Sequence, residues 1–569
     1  VAFSFNKDVT MSLGLLALIA SIPLLTILVL VVGFRIPTTK AMPIAFVITL
    51  CLALFVWQTP LNYIGAAIIK GMGSATEILL IIFGALVLLF TLREAGALAA
   101  INKGFKSISE DRRVQVILIS WFMGAFIEGV AGFGTPVALL SPLLVSLGFP
   151  ALAAVLVSLI ANTSAISFGA VGIAVNFGIG GPLNTPDVHQ ALAHAGMNYP
   201  QFIFAVNEWT AVLHGVMGIF VPLLAVSMMT KFFGKNKSFR DGLRIWPFAL
   251  FAGGVYAVTF VTTSFLLGPE FPSLFAGIVG LAVVVPAAKA GFLIPKEKWD
   301  FPERSSWEQQ WIGTATFDTD ETVSAMPLWK AWLPYAGVGM LLIISRIDAL
   351  PVKAFIKEFT IPLNNFFGTD IKSKIELLYN PGLFPFLLIT LLAIPFFKMT
   401  RANIASAWKE AAMKMKDPVI ALLFTVPMVE LMQVGHSPQG WANMPITIAQ
   451  YVSQFVQGAW PLVAPFVGAL GIFIGGSNTV SNMLFGTFQY SVADRLGISH
   501  IIILSEQTVG GAFGVLVCIF KIIAASATVG LSNVEGVLIR KNLLPLLIYG
   551  LVVGITSMLL IYWIVPGLF

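Results

Sequence analysis

Charge is scarce in this chain. Of 569 residues only 11% are Asp, Glu, Lys or Arg, while 57% are hydrophobic and the mean hydropathy is +0.91. A soluble globular protein is excluded, because apolar runs repeat along almost the whole length. Cysteine is nearly absent: Cys51 and Cys518 each sit inside an apolar run, which excludes a disulfide framework and a metal cluster. Chemical motifs are missing too. There is no Gly-x-x-x-x-Gly-Lys-Ser/Thr loop for a nucleotide-driven pump, no His-Glu-x-x-His for a zinc enzyme and no Gly-x-Ser-x-Gly elbow for a hydrolase. No enzymatic activity and no cofactor are therefore expected. The net charge of +6 is concentrated in a few short loops, so it reads as a topology signal and no nucleic-acid partner is expected. No charged n-region with a cleavage site is seen at the start, and no signal peptide is expected.

What the chain has is a series of spans. About 20 apolar residues cross the hydrocarbon core. On that scale crossings fall near 11–34, 41–57, 75–92, 151–178, 201–230, 246–266, 274–292, 331–347, 383–397, 418–436, 498–521 and 543–565. Two further stretches, 114–149 and 461–496, are too long for one crossing and break in the middle at glycines and polar residues. They fit better as re-entrant hairpins, whose arms of about 15 residues, or roughly 22 Å, reach the middle of a bilayer without crossing it. With the hairpins not crossing, loops 35–40, 93–113, 231–244, 289–330, 398–416 and 521–541 share one side and hold roughly 25 of the 33 Lys and Arg. By the positive-inside rule that side is cytoplasmic, and the hairpins enter from opposite faces. Irregular backbone at membrane depth is tolerated where it lines a wet cavity, so two such segments in corresponding halves point to a binding site between them.

The expected fold is thus an all-α polytopic membrane protein with about 12 transmembrane helices, two re-entrant hairpins and an inverted repeat with broken helices. Its expected parts are N-terminal helices 1–74, a first repeat 75–295, a cytoplasmic connector 296–330, scaffold helices 331–417 and a second repeat core 418–569. Phe126-Ile127-Glu128-Gly129 matches Phe473-Ile474-Gly475-Gly476, and each hairpin leads into a helix with a polar break: Asn162-Thr163-Ser164 in the first half, Gln507-Thr508 in the second.

A helix that starts at mid-membrane offers unpaired N–H groups and a partial positive charge to a carboxylate. Thr135-Pro136 reads as such a start, with Thr as N-cap, beside Gly132 and Gly134; Ser477, Asn478, Thr479 and Asn482 supply caps or hydroxyl partners in the second hairpin. A small hydroxy-carboxylate fits these groups better than a bulky or cationic solute. Ionisable residues inside spans are costly and are functional candidates by default. Glu128, at the first turn, is the expected proton-coupling group, since desolvation makes its neutral form accessible. His214 is a second candidate for relaying protons. Lys521, at the end of the second broken helix, could neutralise a substrate carboxylate, pair with an acid, or reach the interface.

The runs Gly124-Ala-Phe-Ile-Glu-Gly-Val-Ala-Gly-Phe-Gly134 and Gly475-Gly-Ser-Asn-Thr-Val-Ser-Asn-Met483 resemble signatures of the lactate permease family, as do Gly268-Pro269-Glu270, Phe488-Gln489-Tyr490 and Ala524-Ala525-Ser526-Ala527 followed by Arg540-Lys541-Asn542. The resemblance covers almost all of the chain. It implies a secondary transporter of the prokaryotic cytoplasmic membrane that takes up L-lactate, and often D-lactate or glycolate, by proton symport. It also implies kinship with a wider superfamily of anion carriers, many of them dimers, so a homodimer among membrane lipids is an expected assembly. Sodium-coupled transport of another small mono- or dicarboxylate is the alternative, because Ser-Asn-Thr tips can also coordinate sodium. The sequence departs from the family pattern at Phe520-Lys521, where His-Asn is usual, and at Thr135, where Ala is common. The first departure exchanges a titratable group for a fixed charge and leaves substrate and stoichiometry open.

Overall fold

The computed structural model describes residues 11–34, 36–106, 108–132, 134–314, 326–346, 350–363, 366–369, 371–380, 382–531 and 534–569. The part of the connector at 315–325 lies outside them. All twelve expected crossings are helical. Among the described residues eight helices are long and apolar enough to span a membrane, or up to ten if two bent pairs each count as one span. The protein is an integral membrane protein. Apolar residues cover its outside as well as its core, with Leu18, Phe55, Val258, Leu391 and Leu551 all exposed, as expected where lipid tails replace water.

Two boundaries expected from sequence fall inside continuous helices. Leu61–Glu94 runs through residue 74, and Arg401–Gln433 through residue 417 despite Pro418. Those two long helices pack on each other, with Gly71 allowing the backbone of Pro427 to approach so closely that a Cβ would lie 2.5 Å from its Cα. The all-helical expectation has a small exception among the described residues, an antiparallel pair of strands, Thr360–Leu363 and Ser373–Glu376. The Glu376 N–H donates to the Glu77 carboxyl at 2.6 Å, tying this pair to the long helix.

Both long interrupted stretches form helical hairpins. The first has arms Arg112–Ala131 and Thr135–Ser146; the second has Trp460–Gly475 and Asn478–Leu496. The Arg112–Ala131 arm, at 20 residues, is longer than the half-span arm expected. Asp111 caps it from the polar side and lets it begin directly at the charged loop.

The hairpins open toward opposite faces. Arg112 donates to the Leu147 carbonyl, closing the base of the first hairpin, and pairs with Asp300 at 2.9 Å. Buried Arg113 is held by Asp111 at 2.7 Å and donates to the carbonyls of Asp241 and Glu297. Thr314 bonds the Gly530 carbonyl, and Arg93 pairs with Glu410. Five of the six basic loops thus join one another around the base of the first hairpin. The base of the second lies at the other end, where Tyr562 donates to the Gly458 carbonyl at 2.8 Å and Ser499 to the Phe569 carbonyl at 2.9 Å.

Each hairpin is followed by a broken helix. In the first half, Ala151–Ala161 ends at Asn162 and resumes over Ile166–Ile179 after a bend of 65°. In the second half the break is not at Gln507-Thr508. His500–Phe513 passes through both without interruption, and the chain turns at Cys518 before Ile519–Thr528. Gly510 and Gly511, which read as breakers, serve packing instead: a Cβ on Gly510 would lie 2.0 Å from the Pro465 carbonyl oxygen. Close helix contact at small residues offsets their poor helix propensity.

Candidate functional site

The two tips meet. At the first, Gly132 (φ 62°) and Gly134 (φ 78°) have left-handed backbones, and Gly134, not Thr135, is the N-cap of the returning arm. The cap shifts by one residue because the turn needs positive φ immediately before the helix, where only glycine is unstrained. A Cβ on Gly132 would be 2.7 Å from that of Ala170, so this tip rests on the first break. That break has three consecutive left-handed residues, Ala170 (φ 45°), Val171 (φ 53°) and Gly172. Two of them are not glycine, at a cost of about 1–3 kcal/mol each, and such strain clusters at ligand sites.

Glu128 lies one turn before the first tip and is 1% exposed. Asn162 Nδ2 donates to its Oε2 at 3.1 Å, and the Gly134 backbone N–H is a second donor. Gly169 opposes it so closely that a Cβ there would be 2.7 Å from Oε1. Lys521, on the helix after the Cys518 turn, lies against the same tip: a Cβ on Gly134 would be 2.6 Å from its Nζ. Glu128 and Lys521 thus face the same cavity, with no ion pair between them among the described residues.

At the second tip Gly476 is left-handed (φ 72°) and Ser477 is the N-cap of Asn478–Leu496. The Ser477 hydroxyl makes no capping bond, so it is not spent on its own helix. Helical bonding resumes with Ser481 N–H to the Ser477 carbonyl, which leaves the first N–H groups of the helix facing outward.

Between the tips is a narrow cavity of about 20 Å³. Glu128 and Lys521 supply its charges, Ser477, Asn478 and Thr479 its polar wall, and Ile166, Gly169, Ala170, Ile173 and Ala174 its apolar wall. That space admits a water or two, so the tips must part for even a small solute to enter.

The other expected residues stand behind this cavity. Asn162 orients Glu128. The Thr163 hydroxyl bonds the Ile160 carbonyl, and Ser164 bonds the Tyr549 hydroxyl at 3.2 Å. His214 is buried with both ring nitrogens engaged, Nε2 with Ser167 at 2.7 Å and Nδ1 with Tyr549 at 2.8 Å. Asn482 Nδ2 donates to the Ala174 carbonyl and to Thr508 Oγ1, joining the second hairpin to the first break. The Thr508 carbonyl accepts from Ser167 and Asn478, while Gln507 donates to the Ser481 carbonyl and hydroxyl. Thr135 does not line the cavity. Tyr549 and Glu506 escaped the sequence reading; a carboxylate inside the 498–521 span was the available signal for the second.

The sequence profile of L-lactate permease matches residues 16–564. The chain belongs to the L-lactate permease family. A relative from Haemophilus influenzae is 31% identical over 545 residues, covering 92% of this chain and 94% of its own. The L-lactate permease of Bacillus subtilis is 29% identical, covering 83% of each chain. Glycolate permease GlcA of Escherichia coli is 26% identical, covering 97% of this chain and 96% of its own. These relatives are named as transporters, not enzymes, and within this family the Glu128–Lys521 cavity between the hairpin tips is the candidate substrate site.

Proposed function

We propose that this protein takes up L-lactate with a proton across a prokaryotic cytoplasmic membrane, accepting D-lactate and glycolate as related substrates. Family membership supports lactate. The proton rests on a single observation: Glu128 and Lys521 share one small cavity.

Lactate brings a carboxylate, an α-hydroxyl and a methyl group. The carboxylate suits Lys521 Nζ and the N–H groups at the start of Asn478–Leu496, where cation and helix dipole add. Ser477 and Thr479 offer partners to the hydroxyl, and Ile166 and Ile173 cover the methyl. In the empty site Lys521 and Glu128 balance each other. When lactate takes Lys521 as its counter-charge, Glu128 is left as an uncompensated carboxylate in a dry site, which costs several kcal/mol. Protonation of Glu128 removes that cost. The cavity then holds one lactate, one ammonium and one neutral acid, the same net charge as before, so a loaded and an empty cavity cross the bilayer equally. His214 serves this scheme by fixing the first break through Ser167 and Tyr549.

Proton uptake by purified protein tests the scheme. Adding lactate to lightly buffered protein with an indicator dye should consume a proton, and Glu128→Gln should consume none at the cavity while still binding lactate. Lactate binding by the native protein without proton uptake would reject the coupling.

A further inference from the structure

The cavity leaves one buried acid unexplained. Glu506 is 0% exposed, in the middle of His500–Phe513, about 9 Å along the helix from His500 at 1.5 Å per residue. Neither carboxyl oxygen makes a hydrogen bond of good geometry among the described residues. Its polar neighbour is the Ser557 hydroxyl on Glu535–Leu559, placed to bond the carboxyl weakly and with no other partner among the described residues.

Among the described residues no cation acts on it. Trp460–Gly475, packed on one side, contains no ionisable residue. From Glu535–Ile564 the ionisable group that senses Glu506 is Tyr562, which is 37% exposed and bonded to the Gly458 carbonyl. On Tyr199–Gly218, the Tyr199 hydroxyl is committed to the Gly180 carbonyl and His214 to Ser167 and Tyr549, while Glu208 is only partly buried. On Asn478–Leu496, Tyr490, Asp494 and Arg495 lie in the last two turns, beside His500 at the outer end. An isolated carboxylate here costs several kcal/mol, so the group rests as a neutral acid.

Its position gives that proton a use. The next residues of the same helix, Gln507 and Thr508, hold Ser481, Asn478 and Asn482 of the second hairpin. Glu506 is therefore joined rigidly to the substrate cradle, and Tyr562 marks its side facing the outer end. We propose that Glu506 is a second proton-carrying site, outside the lactate cavity, loaded from the outer face and moved with the cradle. The inference rests on the proton-coupled reading above. It adds a distinct consequence: lactate with a proton at Glu128 is neutral, and a further proton released from Glu506 at the inner face, with the carboxylate returning ionised, makes each cycle carry one net positive charge inward.

The experiment uses the full chain in sodium-free proteoliposomes with two separate driving forces. One is an inward proton gradient at zero membrane potential; the other is an interior-negative potassium diffusion potential at equal pH. The native protein should accumulate lactate under either. Glu506→Gln, which replaces a neutral acid by a neutral amide of the same shape, should keep gradient-driven accumulation and lose potential-driven accumulation. Potential-driven accumulation equal to native in Glu506→Gln, or absent from both proteins, overturns the second site while leaving coupling at Glu128 intact. No gradient-driven accumulation by the native protein overturns both. Infrared difference spectra give an independent reading if the variant folds poorly. The native protein should show a protonated-carboxyl band, absent from Glu506→Gln, that responds to lactate and pH together; an unresponsive band identifies a static buried acid and overturns the proposal.

Discussion

In the proposed scheme, replacing Glu128 with Gln removes the negative charge that competes with lactate for Lys521 and keeps an acceptor for the Asn162 amide. The size of that competition has a ceiling. Two unit charges about 4 Å apart at an effective dielectric of 20 interact by about 4 kcal/mol, and Glu128 and Lys521 face the same cavity with no ion pair between them among the described residues. Half of the ceiling, about 2 kcal/mol, corresponds to about 30-fold in affinity. Glu128→Gln should therefore bind lactate about 30-fold more tightly than the native protein at alkaline pH and equally well at acid pH, where native Glu128 is already neutral. Linkage sets the shape of the curve: each proton taken up on binding makes log Kd rise by about one per pH unit where the acid is ionised. Calorimetric titration of detergent-solubilised protein across pH should show that slope fall by one in Glu128→Gln. A variant with the native slope and native affinity throughout would place the coupling proton elsewhere and refute the competition.

Lys521→Gln should weaken lactate binding by about 1.5–3 kcal/mol, roughly 10- to 150-fold, the worth of a hydrogen bond to a charged group; unchanged affinity would remove Lys521 from the site. Glycolate lacks the methyl that the proposed pose sets against Ile166 and Ile173, and one methyl is worth about 0.8 kcal/mol, so it should bind about fourfold more weakly than lactate in competition assays. Gly510→Ala should lower thermal stability by about 1–3 kcal/mol or more, because the new Cβ meets the Pro465 carbonyl and backbone cannot yield as a side chain would; an unshifted melting curve would contradict the close packing. On the basic face, the hydrogen-bonded Arg93 guanidinium holds the Glu410 carboxyl below its ordinary value of 4.5. A carboxyl lowered by folding stabilises above that ordinary value and loses its contribution as pH falls through the lower folded one. The pair is partly exposed, so Glu410→Gln should cost no more than about 1 kcal/mol at neutral pH, with the difference vanishing in acid unfolding experiments.

Much of the architecture was legible because it rests on patterns that sequence carries directly. Charge placed the loops, and length with central glycines exposed both hairpins. Asn162-Thr163-Ser164 marked the first break because polar residues there have nothing apolar to do. The second break misled for a physical reason: Gly510 and Gly511 look alike whether they end a helix or admit a neighbouring one, and only the 2.0 Å approach to Pro465 separates the two. Thr135 misled by one residue, since the turn required left-handed Gly134 first. Lys521 could be read several ways until the fold brought a residue 393 positions beyond Glu128 into the same cavity. Glu506 went unread beside the more conspicuous Gln507-Thr508, because its isolation is a property of neighbours distant in sequence.

Lactate accumulation in sodium-free proteoliposomes under an imposed inward proton gradient tests the central claim most directly. Accumulation should follow the gradient, collapse with a protonophore and be indifferent to added sodium. Accumulation that requires a sodium gradient and ignores the proton gradient would contradict the exchange of lactate for Glu128 at Lys521.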